Sequence, residues 1–121
     1  MANQIVWCDI PVLNLDRAVK FYSAVLGIEV KKEQFPGGMA LGVLPHTDGE
    51  VGGCLFSSEE EKPSDKGLLI YLNANGRLDA AIDAVSSNGG KVIKPKHSIG
   101  PHGYRAIVLD SEGNRIALHS D

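Results

Sequence analysis

A pattern that occurs twice constrains this chain more than anything else in it. Asn14 to Gly27, NLDRAVKFYSAVLG, returns as Leu78 to Gly90, LDAAIDAVSSNGG. The step from Leu15-Asp16 to Leu78-Asp79 is 63 positions, and the same step carries Ala18 to Ala81, Val19 to Ile82, Tyr22 to Val85 and Gly27 to Gly90. In each copy the apolar residues fall at i, i+3, i+4 and i+7, the spacing of one buried helical stripe. Asn14 suits an N-cap, Asp16 the first turn, and Gly27 or Gly89 the left-handed stop that other residues adopt only at a cost. Two amphipathic helices, one per repeat, are therefore expected.

A length of 121 residues is one domain. Divided by the repeat it gives two modules, each marginal alone, so the halves are expected to share a core. A formal net charge of −3 supplies no basic field and argues against nucleic acid or an anionic membrane as partner. No apolar run approaches the roughly 20 residues that cross a bilayer, and MANQIVWCDI lacks the charged-then-apolar pattern of a leader, so a cytoplasmic protein is expected. Cys8 and Cys54 have no metal-type spacing and sit in apparent strands, which suits reduced, buried thiols.

In chain order, residues 5–12 read as a strand whose even positions (Val6, Cys8, Ile10, Val12) are apolar and face the helix, while Trp7 and Asp9 point the other way. Strands at 28–35, 39–44 and 51–56 follow, with turns at Pro36-Gly37-Gly38 and Pro45 to Gly49; Gly52-Gly53 signals a bulge or a close backbone approach. Module 1 is thus βαβββ over about residues 1–57. Residues 58–67, with Glu59-Glu60-Glu61 and Pro63, form a solvated linker, and module 2 occupies about 68–121. There the order repeats: strand 68–73, helix, a short strand 91–94 ended by Pro95, a long loop 96–103 holding His97 and His102, and strands 104–109 and 115–119 around the turn DSEGN.

Two βαβββ modules, LDRAVKFYSAVLG in the first and DSEGNRIALH closing the second, resemble the vicinal oxygen chelate superfamily of glyoxalase I, bleomycin-resistance proteins and extradiol dioxygenases. The resemblance spans essentially the whole chain. It implies an α+β, glyoxalase-like fold, a single domain over 1–121 whose two curved sheets enclose a cleft, and, since many members pair, a homodimer. In metal-dependent members the ligands stand on the first and last strand of each module, facing the cleft. Carried over by the helix motif and the repeat step, those positions are Trp7, Cys54, Ile70 and Ala117. Divalent metals in such sites take about four to six ligands, mostly imidazole nitrogen and carboxylate oxygen. Indole and hydrocarbon offer none, and a lone thiol among apolar neighbours stays neutral. No metal cofactor is expected.

What remains is a cleft lined by Trp7, Cys54, Phe56, Ile70, Leu72 and Ala117, with Asp9 and His119 at its margin by strand alternation. Tyr104 and Arg105 begin the penultimate strand, and one of them should enter the cleft; an arginine there favours a carboxylate or phosphate. Such a lining suits a small organic molecule held by contact. Two functions stay open. One is a metal-free small-molecule-binding protein similar to the bleomycin-resistance proteins. The other is an enzyme similar to lactoylglutathione lyase, acting by proton transfer with His119 or His102 as base and Asp9 as orienting acid, and using a metal only if off-pattern residues supply its ligands.

Overall fold

The computed structural model describes residues 3–121; Met1 and Ala2, the first residues of the expected module 1, lie outside the described residues. Module 1 runs β1 (Trp7–Pro11), α1 (Leu15–Leu26), β2 (Lys31–Phe35), β3 (Met39–Val43), β4 (Gly52–Phe56). Module 2 runs β5 (Tyr71–Asn73), α2 (Leu78–Ser87), β6 (Lys91–Ser98), β7 (Tyr104–Leu109), β8 (Arg115–Ser120), with a 3-10 turn at Gly100–His102. Each module makes one four-stranded mixed sheet, in the order β1-β4-β3-β2 or β5-β8-β7-β6, and among the described residues no strand pairing joins the two sheets. In both, the first strand is parallel to the last and the remaining pairs are antiparallel.

One hydrophobic core serves both modules. Ile10, Val12, Ala18, Phe21, Tyr22, Val25, Val30 and Leu55 of the first pack with Leu78, Ala81, Val85, Ala106, Val108, Ile116 and Leu118 of the second. Neither half buries enough apolar surface by itself, which is why the helices sit together on one side of the sheets. Asn14 caps α1, its side chain accepting from the Arg17 N–H at 3.0 Å, and Gly27 ends the helix at φ 66°. A side chain at Gly27 would also strike the Arg77 guanidinium, which donates to the Val25 carbonyl.

The turn DSEGN binds the modules to each other. Glu112 reaches the start of α1, where its carboxylate accepts from the backbone N–H groups of Leu13 (2.9 Å) and Asn14 (2.7 Å) and from Arg17 (2.7 and 2.9 Å). These are helix N-terminal donors that no residue of α1 satisfies, and a carboxylate suits that end of the helix dipole. Burial pushes the Glu112 carboxyl up, but the Arg17, Asn14, Ser111 and Leu13 donors together outweigh it and hold it at about 2. Beside it, buried Asp110 accepts from the N–H groups of Glu112 and Asn114, the Asn114 amide and the Tyr22 hydroxyl, while that amide also donates to the Pro11 carbonyl.

Two expectations are corrected. β6 does not stop at Pro95 but continues to Ser98, because register shifts between Lys94 and His97 take the proline out of the ladder on an edge strand. The loop shrinks accordingly to residues 99–103. The second correction concerns which way β5 faces. Asp9 lies opposite Cys54 in module 1, whereas Tyr71 lies opposite Ala117 in module 2. Cys54 and Ala117 keep the step of 63, so β1 and β5 are related by 62. Three residues connect β1 to α1 (12–14) and four connect β5 to α2 (74–77). One residue of slip turns every side chain of a strand over. Leu72 therefore packs against the core, and half-buried Ile70 sits beside Cys8 and Ile10 in the groove between the sheets. Neither shares a face with Trp7 and Asp9; Tyr71 and Asn73 take that place.

Candidate functional site

The side of each sheet that carries no helix presents Trp7, Asp9, Cys54 and Phe56 on module 1 and Arg105, Ala117 and His119 on module 2, and the two modules present different chemistry there. On module 1, Trp7, Asp9 and Pro11 of β1 stand next to Gly52, Cys54 and Phe56 of β4. The backbone approach anticipated at Gly52-Gly53 is real: a Cβ at Gly52 would lie 2.7 Å from the Trp7 ring, and one at Gly53 2.9 Å from the Cys8 carbonyl oxygen. Trp7 is thereby laid across β4, edge-on to His46 with centroids 5.3 Å apart. Its indole N–H donates to Asp9 Oδ1 at 2.8 Å, and the Cys54 thiol donates to the same oxygen at 3.3 Å. A hollow next to them is lined by Asp9, Met39, Leu41, Cys54 and Phe56. Burial first, then the Asp9 carboxylate, pushes the Cys54 thiol up to about 11, so it remains protonated at neutral pH.

On module 2 a polar row crosses the sheet. His97 of β6 lies opposite Arg105 of β7, Arg105 opposite His119 of β8, and His119 opposite Asn73 of β5. Tyr71, one pair further along, donates ring area to both neighbours: its centroid is 6.1 Å from that of His119 and 5.8 Å from the Arg105 guanidinium carbon. Nε2 of His119 lies 2.7 Å from the His102 carbonyl oxygen, which can only accept, so Nε2 carries the proton and Nδ1 keeps its lone pair. Tyr71, Ile99, His102 and His119 line an open hollow of about 480 Å³.

Of the pair that sequence left open, Arg105 takes the helix-free face. Tyr104 is on the other side, against α2, where Lys96 stacks on its ring at 5.3 Å and the neighbouring groove is lined by Leu78 and Asp79. Ala117 is fully buried beneath this face and offers no functional group. Asp9 and His119, expected at the margin of the cleft, are each committed within their own module, Asp9 to Trp7 and Cys54 and His119 to His102. His102 contributes its carbonyl to His119 and lines the hollow. Sequence reasoning missed Tyr71 and Asn73, although the signal was present: ANGR between the second-module strand and helix is one residue longer than its counterpart VLN.

The family's metal positions can now be tested with the observed register. The step of 62 moves the fourth position from Ile70 to Leu69, so the set becomes Trp7, Cys54, Leu69 and Ala117. It contains one donor atom type, a protonated thiol already bonded to a carboxylate. Among the described residues no three His, Cys, Asp or Glu side chains converge as a metal-holding group. These residues do not fit the divalent centre of the metal-dependent members.

Two repeated βαβββ units sharing one core, each with its helix on one side of a four-stranded sheet, define the glyoxalase-like architecture. The model of the Glyoxalase/Bleomycin resistance protein/Dioxygenase superfamily matches residues 4–118, and the chain belongs to that family. A glyoxylase-like domain-containing protein of Didymella fabae is 35% identical over 96% of this chain and 92% of its own length. A putative glyoxylase of Mycobacterium bovis is 26% identical; the match takes in 93% of this chain but 43% of that relative. Among solved structures, a glyoxalase/bleomycin resistance protein from Albidiferax ferrireducens superimposes with a TM-score of 0.74 at 18% identity, over 98% of this chain and 99% of that one. Among the described residues no helix is long and apolar enough to cross a membrane.

Proposed function

We propose that this chain is a small-molecule-binding member of its superfamily that takes an organic ligand on the helix-free face without a metal centre. The observation that carries the reading is the donor chemistry at the family's ligand positions: indole, protonated thiol and two hydrocarbon side chains. In their place stand surfaces that hold organic groups by contact, with Trp7, Met39, Leu41 and Phe56 on one module and Tyr71 and Ile99 on the other. The free thiols of Cys8 and Cys54 suit a cytoplasmic setting, and a homodimer would cover the exposed Ile5, Val6 and Leu68.

Trp7 is the single tryptophan and a built-in reporter. Titration with small aromatic acids and alcohols, followed by its emission, should saturate, and metal analysis of the purified protein should give far less than one divalent ion per chain. One tightly held equivalent of nickel, zinc or iron would end this reading.

One observation favours a second reading. Because His119 Nε2 is fixed on the His102 carbonyl, Nδ1 is the ring nitrogen left without a partner among the described residues, and His119 lies opposite Arg105 in the β7–β8 register. That is the pairing a proton-transfer enzyme needs, a base beside a group that stabilises developing negative charge. Turnover of the hemithioacetal of methylglyoxal and glutathione, lost in His119→Ala, would establish it; absence of turnover leaves the binding reading alone.

A further inference from the structure

Of the four arginines, three end on carboxylate or carbonyl oxygens of the fold: Arg17 on the Glu112 carboxylate, Arg77 on the Val25 carbonyl and Arg115 on the Gly67 carbonyl. Arg105 does not. Its Nε–H donates to His97 Nε2 at 2.9 Å and its Nη1 donates to the Tyr71 hydroxyl. Among the described residues no carboxylate pairs with it. His97 is fixed in the matching tautomer, because its Nδ1 lies 2.8 Å from the Pro95 carbonyl and so must carry the proton, leaving Nε2 as acceptor. The guanidinium is thus half buried, oriented from two sides by neutral groups, and its charge is uncompensated.

A guanidinium has five N–H donors, and two are spent here. The three that remain include hydrogens on both terminal nitrogens, enough for a two-pronged contact. Tyr71 adds another donor: its oxygen accepts from Arg105, so its own O–H is free for a ligand. The adjoining hollow offers the Tyr71 ring and Ile99 to an apolar group. A planar carboxylate matches such a fork with two parallel hydrogen bonds, which a point charge such as lysine does not reproduce.

We propose that Arg105, oriented by His97 and joined by the Tyr71 hydroxyl, anchors the carboxylate of a small organic acid whose apolar part lies against Tyr71 and Ile99. This rests on the reading that the helix-free face takes a small molecule, and adds the class of that molecule. A phosphonate shares the anionic chemistry and is separated by the test.

The test is calorimetric titration of the full chain with benzoate, phenylphosphonate and benzyl alcohol, in wild type, Arg105→Met, Arg105→Lys and His97→Leu. Benzoate should bind at least 10-fold more tightly than benzyl alcohol. Arg105→Met should remove that advantage while leaving the alcohol unchanged, Arg105→Lys should recover only part of it, and His97→Leu should weaken benzoate several-fold through loss of orientation. If the Met variant does not fold, the Lys variant carries the same comparison. Equal binding of acid and alcohol, indifferent to Arg105, would overturn the anchor and leave the small-molecule reading standing. Tighter binding of phenylphosphonate with the same Arg105 dependence would overturn the carboxylate assignment. No binding of any probe, with Trp7 emission also unresponsive, would overturn the reading beneath it.

Discussion

On the face without helices, module 1 presents Trp7, Cys54, Phe56, Met39 and Leu41 beside the already bonded carboxylate of Asp9, with Lys31 and Glu33 on its outer strand, while module 2 presents Tyr71, Asn73, His97, Arg105 and His119, with Lys91 and Lys94 on its outer strand. Their opposite faces are alike, with small and branched apolar residues packed on a helix. The difference follows from what each face must satisfy. Core positions answer to two helices and one shared interior, so the repeated pattern persists there; the other face is under no such constraint. The connecting turns diverge in the same way. DSEGN of module 2 is buried against α1, whereas its counterpart in module 1, around Thr47 to Glu50, is exposed and bonds within itself and to the Asn3 side chain of its own module.

The largest effect is expected where the contrast between the turns is greatest. Glu112→Ala deletes a buried carboxylate and strands the Leu13 and Asn14 N–H groups and one side of Arg17, and should cost about 3 kcal/mol. Glu50→Ala should leave the urea midpoint where it was. Comparable shifts from the two would show that both turns hold the modules equally.

Acid gives a related and somewhat smaller effect. Glu112 titrates near 2 in the folded chain against an ordinary 4.5, so its contribution is complete above 4.5 and disappears as the pH falls toward 2. A depression of that size corresponds to roughly 3 kcal/mol at most. Urea titrations at successive pH values should show the loss in that window, and Glu112→Gln should flatten the curve there. An unchanged slope in the variant would assign acid sensitivity to other carboxylates.

Tyr22→Phe should cost less, about 1–2 kcal/mol. Its hydroxyl donates to buried Asp110, whose other donors from Glu112 and Asn114 stay in place. Burial and the adjacent Asp110 keep the Tyr22 hydroxyl protonated well past the usual phenol range, so no alkaline titration of this tyrosine should precede unfolding. A tyrosine signal titrating near 10 in a Tyr71→Phe, Tyr104→Phe background would contradict the buried bond.

The repeat, both helices, the caps of α1 and the helix-side face of β1 were legible in the sequence because period 3.6, period 2 and Gly at a left-handed stop each leave a local mark. The face of β5 was not read correctly, since a step that holds for helices and closing strands was extended across a connection one residue longer. DSEGN was read as a turn, and its role in capping α1 could not be, because Glu112 and Asn14 are brought together only by packing of one module on the other. Likewise nothing local announces that His97 orients Arg105; Pro95 suggested that the strand had ended, and a bulge carried it on. Arg105 on the helix-free side was one of two alternatives that alternation alone leaves undecided.

The smallest expected effect bears on module 1. Cys54 is buried and its thiol donates to Asp9, so at pH 8 iodoacetamide should modify the folded protein slowly at this position, followed by mass spectrometry of its peptide. Burial is the leading cause of its raised pKa and Asp9 comes second, so Asp9→Asn should speed modification only a few-fold. The same substitution leaves the Trp7 indole an amide oxygen to bond, so emission should change little. Rapid alkylation of the native wild-type chain would mean that a thiolate stands between Trp7 and Phe56. Module 1 would then carry a nucleophile and potential ligand of its own, and the contrast between its inert centre and the unpaired Arg105 of module 2 would have to be given up.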